Sequence, residues 1–199
     1  MNRIERGNEK YRFKHNKLLK WKVTDSLLVL NNKWAKVRKD SCLLPNGIIL
    51  PDYYYWEGGD FAQIFAVTSD NEVVLTRQYK HGVKEVVIEL PAGLIDHSDG
   101  SPLIAARREL REETGYTGKD WIKLGVLNIS SAKSTARSHV FLVRGAIKKY
   151  EPSLDENEVI ESFLITPKDL IAWINKGIIR DSSSIATTLL ALNVLNLGG

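Results

Sequence analysis

The stretch "ELPAGLIDHSDGSPLIAARRELREETGY", residues 89–116, decides how this chain is read. Its first part is the end of a strand that stops at Pro91 and passes into a loop. A helix is expected from about Pro102 to Thr114. Ser101 precedes it and Pro102 stands in its first turn, both start signals, and Gly115 is the stop. At 100° per residue, Leu103, Ala106 and Leu110 share one face, which should meet a sheet. Glu109, Glu112 and Glu113 crowd another face. Like charges three or four positions apart repel by a few tenths of a kcal/mol, roughly, and anions in a last turn oppose the helix dipole. A hard divalent cation removes both penalties, because Mg²⁺ takes carboxylate, water and phosphate oxygens. Arg108 can reach Glu112 at i+4 and fix its rotamer. On the helix alone, a surface laced with ion pairs from Arg107 and Arg111 explains the pattern equally well.

The flanking residues separate the two readings. With Gly93 ahead of "RELREETG" (residues 108–115), the stretch resembles the Nudix box: glycine, five residues, Glu, seven residues, then Arg-Glu-aliphatic-x-Glu-Glu-x-Gly-aliphatic. Two departures stand out. Fourteen residues separate Gly93 from Arg108 where the pattern has thirteen, and the extra one is expected in the turn at 97–101. The first Glu of the pattern is replaced by Asp99 or by nothing, which should alter loop geometry without abolishing metal binding. Tyr116 takes the final aliphatic place.

The resemblance implies an α/β fold, a Nudix-type α/β/α sandwich with a mixed sheet, and a Mg²⁺- or Mn²⁺-dependent hydrolase of nucleoside diphosphates linked to another group. By position it makes Glu109, Glu112 and Glu113 the metal ligands, joined by the Ala92 carbonyl, with Glu112 and Glu113 at the chemistry. Gly93, Arg108 and Gly115 shape the motif. "TRQYKHGVKEVVIELPAGLID" is similar to the ADP-ribose pyrophosphatase branch. That likeness puts Arg77, Lys80 and Glu89 on the substrate side. Lys80 stands where an Arg is common, so it keeps the charge and loses the bidentate fork. Glu89 read without the resemblance is a strand-end carboxylate facing water. A loop carboxylate often serves as base in the branch, which makes Glu156 and Glu158 of "LDENEVIES" the candidates, against a plain solvated loop. Ser131 and Ala132 occupy the place of a Ser-Pro-Gly element, so the loop facing the terminal sugar should differ. ADP-ribose leads as substrate. Another sugar nucleotide such as GDP-mannose, or a catalytically weak nucleotide-binding regulator, are the alternatives.

Around the motif the chain reads as two parts. Residues 1–57 form a basic tail and a β-rich lobe, with "WAKVRKDSCLL" and "IILPDYYYW" as strands joined by Pro45-Asn46-Gly47. The branch uses this lobe to dimerise, and a homodimer is expected. Trp34 is a candidate to stack on adenine, or else a core or dimer-contact residue. Residues 58–199 form the hydrolase domain, entered through Glu57-Gly58-Gly59-Asp60. "FAQIFAVTSDNEVVLTRQY" is a hairpin turning at Ser69-Asp70-Asn71. Further strands are expected near 121–130, 138–147 and 159–165, with helices from about Lys168 to Lys176 and Ser183 to Leu195. Asp181 and Ser182 are ready caps for the last.

Composition bounds the rest. The net charge is only +4, and seven Lys/Arg fall within residues 1–20, read as a solvated terminus with nucleic acid an unlikely partner. No apolar signal segment follows it, and "SIATTLLALNVLNL" is too short and polar to span a bilayer. One cysteine, Cys42, fits a reducing cytoplasm. The four histidines, His15, His81, His97 and His139, lack zinc-ligand spacing.

Overall fold

The computed structural model describes residues 19–196, so most of the basic tail lies outside the described residues. The chain forms two compact units that divide between Trp56 and Glu57.

The first unit is a three-stranded antiparallel sheet of β1 (Lys22–Asn31), β2 (Lys36–Leu43) and β3 (Ile49–Trp56) in that order. Gly47 supplies the left-handed residue of the β2–β3 turn at φ 85°. Among the unit's described residues only Asp40 and Cys42 are buried. Three strands without a covered face have little core of their own. Trp34 lies in the β1–β2 turn and is 84% exposed, with the Lys33 ammonium 4.6 Å from its ring centroid. The core reading of Trp34 therefore does not hold: its ring stands out from a turn tip and is not covered by the sheet.

The second unit carries β4 (Phe61–Thr68), β5 (Val73–Lys80), β6 (Glu85–Glu89), β7 (Ala92–Leu94), α1 (Pro102–Thr114), β8 (Tyr116–Thr117), β9 (Asp120–Asn128), β10 (Arg137–Lys148), β11 (Ile160–Ile165), α2 (Pro167–Asn175) and α3 (Ser182–Leu195). The sheet runs β11-β5-β4-β10-β8, with β4 and β10 parallel and the other pairs antiparallel. Strand alternation sorts β4 onto two faces. Ala62, Ile64 and Ala66 pack with Ala105, Ala106 and Leu110 of α1, while Phe65 and Val67 pack with Leu170, Ala191 and Leu192 of α2 and α3. Helices thus cover both faces of a mixed sheet, an α/β/α sandwich. Asp181 alone caps α3, accepting from the Ser184 N–H, and Ser182 is its first helical residue. Thr166 caps α2. Among the described residues no helix is long and apolar enough to cross a membrane.

One feature of the sheet positions the site. The hairpin of β4 and β5 pairs only at Val67↔Val73, beside its turn, and then opens. Residues 85–94 enter the gap. Strand β6 pairs with β5 up to Thr76↔Glu89, and β7 pairs with β4 from Gln63↔Ala92 to Phe61↔Leu94. Leu90 and Pro91 carry the chain from one edge to the other, and the Pro91 carbonyl accepts from Ile64 N–H at 2.9 Å.

Candidate active site

The loop after β7 and the helix α1 are built around Arg108. Its Nε and Nη2 donate to the two oxygens of Asp99 at 2.9 Å each, and Nη2 also donates to the Leu94 carbonyl at 2.9 Å. Its Nη1 meets Glu112 at 3.1 Å and Glu109 at 2.7 Å. Asp99 also accepts from the Asp96 N–H at 2.8 Å, closing a short 3₁₀ turn at His97–Asp99 that ends on Gly100 at φ 68°. This turn lies where the extra residue of the motif is expected. Asp99 is buried and held below the usual carboxylate range chiefly by the Arg108 hydrogen bonds, against the opposing effect of burial. Asp99 therefore orients Arg108, and the arginine in turn orients the carboxylates.

Those carboxylates differ in environment. Glu113 is 4% exposed on the sheet-facing side of α1, and one oxygen accepts from the Ala92 N–H at 3.1 Å. Burial first, and then the charge of Glu109, push its pKa to about 8. Glu109 is pushed to about 7, again by burial first, with Arg108 opposing and Glu112 and Glu158 adding repulsion. The burial of Glu113 counts against the alternative of a surface helix laced with ion pairs. Gly93 is glycine because a Cβ there would lie 2.1 Å from the Glu109 carboxyl carbon. Gly115 adopts φ 75°, and a side chain would strike the Tyr150 carbonyl at 2.1 Å.

Across the loop, Lys80 Nζ lies 2.7 Å from Glu89 Oε1, which also accepts from Gln78 Nε2 at 2.9 Å. Glu89 is buried, so the reading as a water-facing strand end does not hold. A cleft of 280 Å³ is lined by Lys80, Glu89, Ala92, Gly93, Asp181 and Ser183. The start of α3 was read from sequence only as a cap, yet it forms one wall. Glu158 sits in the loop before β11, accepting from the Asp155 N–H at 3.2 Å, and its charge is felt at Glu109. That loop is tied to the helix end, since Ser153 N–H donates to the Glu112 carbonyl at 2.8 Å and Tyr150 N–H to that of Gly115 at 3.1 Å. Glu156 is exposed in the same loop. Arg77 is exposed and paired with Glu161 at 2.6 Å on the neighbouring strand, and it lines neither cleft that Lys80 lines. At the entry to β4, Asp60 receives Arg137 at 2.7 Å and His139 at 3.1 Å, and its carbonyl holds the Ile95 N–H at 3.0 Å. Nothing local in the sequence announces this group, because its members lie 77 and 79 residues apart.

Comparison with known proteins matches the NUDIX domain over residues 61–185. The chain belongs to the Nudix family. Its first unit matches the nucleoside diphosphate sugar hydrolase N-terminal domain over residues 21–56. This Nudix chain is 28% identical to the methanol dehydrogenase activator of Bacillus methanolicus over 170 residues, covering 85% of the chain and 91% of that relative. It is 29% identical to the ADP-ribose pyrophosphatase of Bacillus subtilis over 135 residues, covering 67% and 70%. A solved structure, of an ADP compounds hydrolase, superposes with a TM-score of 0.79 over 92% of this chain and 98% of the other, at 19% identity, a likeness of fold. The chain is accordingly a Nudix hydrolase acting on pyrophosphate bonds.

Nudix hydrolases generally use divalent metal ions. The donors here fit such an ion in chemistry: hard carboxylate oxygens, with Glu109 and Glu113 pushed up to about 7 and about 8 chiefly by burial, a penalty that a cation would offset. Among the described residues no three His, Cys, Asp or Glu side chains already converge as a cage. Arg108 lies between Glu109 and Glu112 and takes both.

Proposed function

We propose that the chain hydrolyses the pyrophosphate bond of a nucleoside diphosphate sugar with Mg²⁺ (or Mn²⁺), and that ADP-ribose, giving AMP and ribose 5-phosphate, is its leading substrate. The observation that carries this reading is the cleft in which Lys80 and Glu89 face the Ala92–Gly93 strand, beside a helix that buries Glu113 against the Ala92 N–H and leaves Glu109 and Glu112 sharing Arg108. The name of the Bacillus subtilis relative supports the choice of ADP-ribose.

Glu109, Glu112, Glu113 and the Ala92 carbonyl are the groups that would hold the metal, which when bound supplies positive charge and lowers the pKa of a water. Arg108 fixes the rotamers of Glu109 and Glu112. Glu89 holds Lys80 in place, so its ammonium meets a substrate phosphate as an oriented point charge. Glu158 has one oxygen engaged by the Asp155 N–H, which leaves the other to accept the proton of the attacking water. Glu156 is the alternative base in the same loop. Arg77 reaches substrate only by leaving Glu161. Trp34 offers an exposed indole for stacking on a base.

Further parts of this reading are a homodimer formed through the first unit and a cytoplasmic location, which the single buried cysteine supports. The test is a panel of ADP-ribose, ADP-glucose, UDP-glucose and GDP-mannose with Mg²⁺, following release of nucleoside monophosphate. AMP from ADP-ribose at the highest kcat/KM is expected. Faster GMP release from GDP-mannose would move the substrate assignment. Binding without turnover across the panel would make the chain a nucleotide-binding regulator.

A further inference from the structure

Where the chain crosses from β6 to β7, the backbone leaves one ladder before joining the next. Leu90 at this crossing is fully buried, and Pro91 has no N–H to offer. The Leu90 N–H is met from far along the chain: it donates to Ser184 Oγ, in the first turn of α3, at 3.0 Å. The same oxygen accepts from Gln63 Nε2 at 3.1 Å, while Gln63 Oε1 accepts from Ser183 Oγ and Thr187 Oγ1 at 2.8 Å each. Both lone pairs of Ser184 Oγ are used, and Gln63, Ser184 and Thr187 are all buried. Buried donors of this kind find partners or force the backbone to move.

The residues on either side of Leu90 are the ones the site depends on. Glu89, one before, holds Lys80, and Ala92, two after, donates to Glu113. We infer that Ser184, held by Gln63, is a positioning residue for hydrolysis: it pins the Glu89–Ala92 crossing, and so sets Lys80 and the Ala92–Glu113 contact together. This rests on the proposed metal-dependent pyrophosphate hydrolysis. Ser184 does not touch substrate. It acts through the backbone of Leu90.

Four variants test it. Ser184→Ala removes the acceptor, Ser184→Cys keeps the volume with a poor acceptor, and Ser184→Thr keeps the hydroxyl. Thr188→Val is the control, one turn further along α3, where the buried Oγ1 has no partner and its loss leaves nothing unpaired. The readouts are hydrogen exchange at the Leu90 amide, the Mg²⁺ concentration for half of the metal-induced rise in Tm, and kcat and KM separately. Ser184→Ala and Ser184→Cys should exchange faster at Leu90, need roughly tenfold more Mg²⁺ and lose about tenfold or more in kcat with KM nearly unchanged. Ser184→Thr should restore all three, and Thr188→Val should match the wild type. If Ser184→Ala frees the Leu90 amide but keeps wild-type Mg²⁺ response and kcat, the inference is overturned. Equal losses in Ser184→Ala and Thr188→Val would reduce Ser184 to a packing residue and overturn it too. If Ser184→Ala does not fold, Ser184→Cys decides by the same outcomes. Should the wild type hydrolyse no nucleotide sugar, the function fails separately, and the exchange and Mg²⁺ readings still judge Ser184.

Discussion

Glu113 occupies a place on α1 that its neighbours Ala106 and Leu110 would assign to an apolar side chain, and it holds a single hydrogen bond there, from Ala92. Its raised pKa has a consequence for stability without metal. The unfolded group titrates near 4.5 and the folded one at about 8, so the folded state binds the proton more tightly in between. The stabilisation from the neutral form is complete below about 4.5 and is lost as pH rises through about 8. Asp99 and Asp60 have lowered values, Asp60 because the hydrogen bonds of Arg137 and His139 outweigh burial, and their contributions are lost only as pH falls below about 3.8. Between pH 5.5 and 8.5 the Tm of chelator-treated protein should therefore fall, and saturating Mg²⁺ should flatten the slope. A Tm rising across that range without metal would contradict the burial of a charged Glu113. Glu113→Gln keeps an acceptor for Ala92 and removes the charge. Its metal-free Tm at pH 8 should equal or exceed the wild type, while the Mg²⁺-induced rise and most of the turnover disappear. A helix of simple surface ion pairs predicts an earlier melt and indifference to Mg²⁺. At Lys80, substitution by Ala removes both the phosphate charge and the partner of Glu89. A loss of about 1.5–3 kcal/mol in transition-state binding is expected in kcat/KM. Unchanged kinetics would return Lys80 to the solvated surface.

The same contrasts operate between elements. Helix α1 was legible because its signals are local: Ser101 accepts from Ile104 N–H as cap, Pro102 starts the first turn, and Gly115 ends it. The Arg108 spacing to Glu112 was legible for the same reason. Asp99 was read only as a substitute in a pattern, because its bidentate hold on Arg108 depends on how a loop folds back nine residues. The start of α3 was read as a cap, since the serines that bind Gln63 and Leu90 are the residue type that caps helices. One local sign of that network existed, namely Gln63, a lone amide inside the apolar strand "FAQIFAV". The loop at 149–159 could be recognised as acidic, but what separates Glu158 from Glu156, its contact with the Asp155 N–H, depends on how the loop folds. Glu158 alone has a resolved backbone partner there and is sensed by Glu109. Glu158→Gln should lower kcat by about a hundredfold or more, the range for loss of a general base, and Glu156→Gln should stay near wild type. The reverse order in single-turnover rates would transfer the role to Glu156.

At the scale of the whole molecule, the two units are unequal in what they bury. The second has a filled core on both faces of its sheet, whereas the first presents Val23, Leu27, Ile49 and Trp34 to solvent and buries only Asp40 and Cys42 among its described residues. An antiparallel sheet normally covers one face, and burying a Val, Leu or Ile side chain is worth roughly 1.5–3 kcal/mol. A sheet of this size that leaves such residues exposed is a candidate interface, and in the proposed homodimer a second copy would cover it. The homodimer is therefore the expected species. Sedimentation at micromolar protein should give twice the 22.5 kDa chain mass. Leu27→Asp with Val23→Asp should shift that mass toward the monomer, because each introduced charge must be desolvated or left unpaired in the interface. The second unit shares none of these residues, so the Mg²⁺-induced rise in Tm of its transition should survive in the double variant. A wild type that sediments as a monomer at all concentrations up to tens of micromolar would remove the dimer, and would leave the exposed face of the first unit to be covered by a different partner.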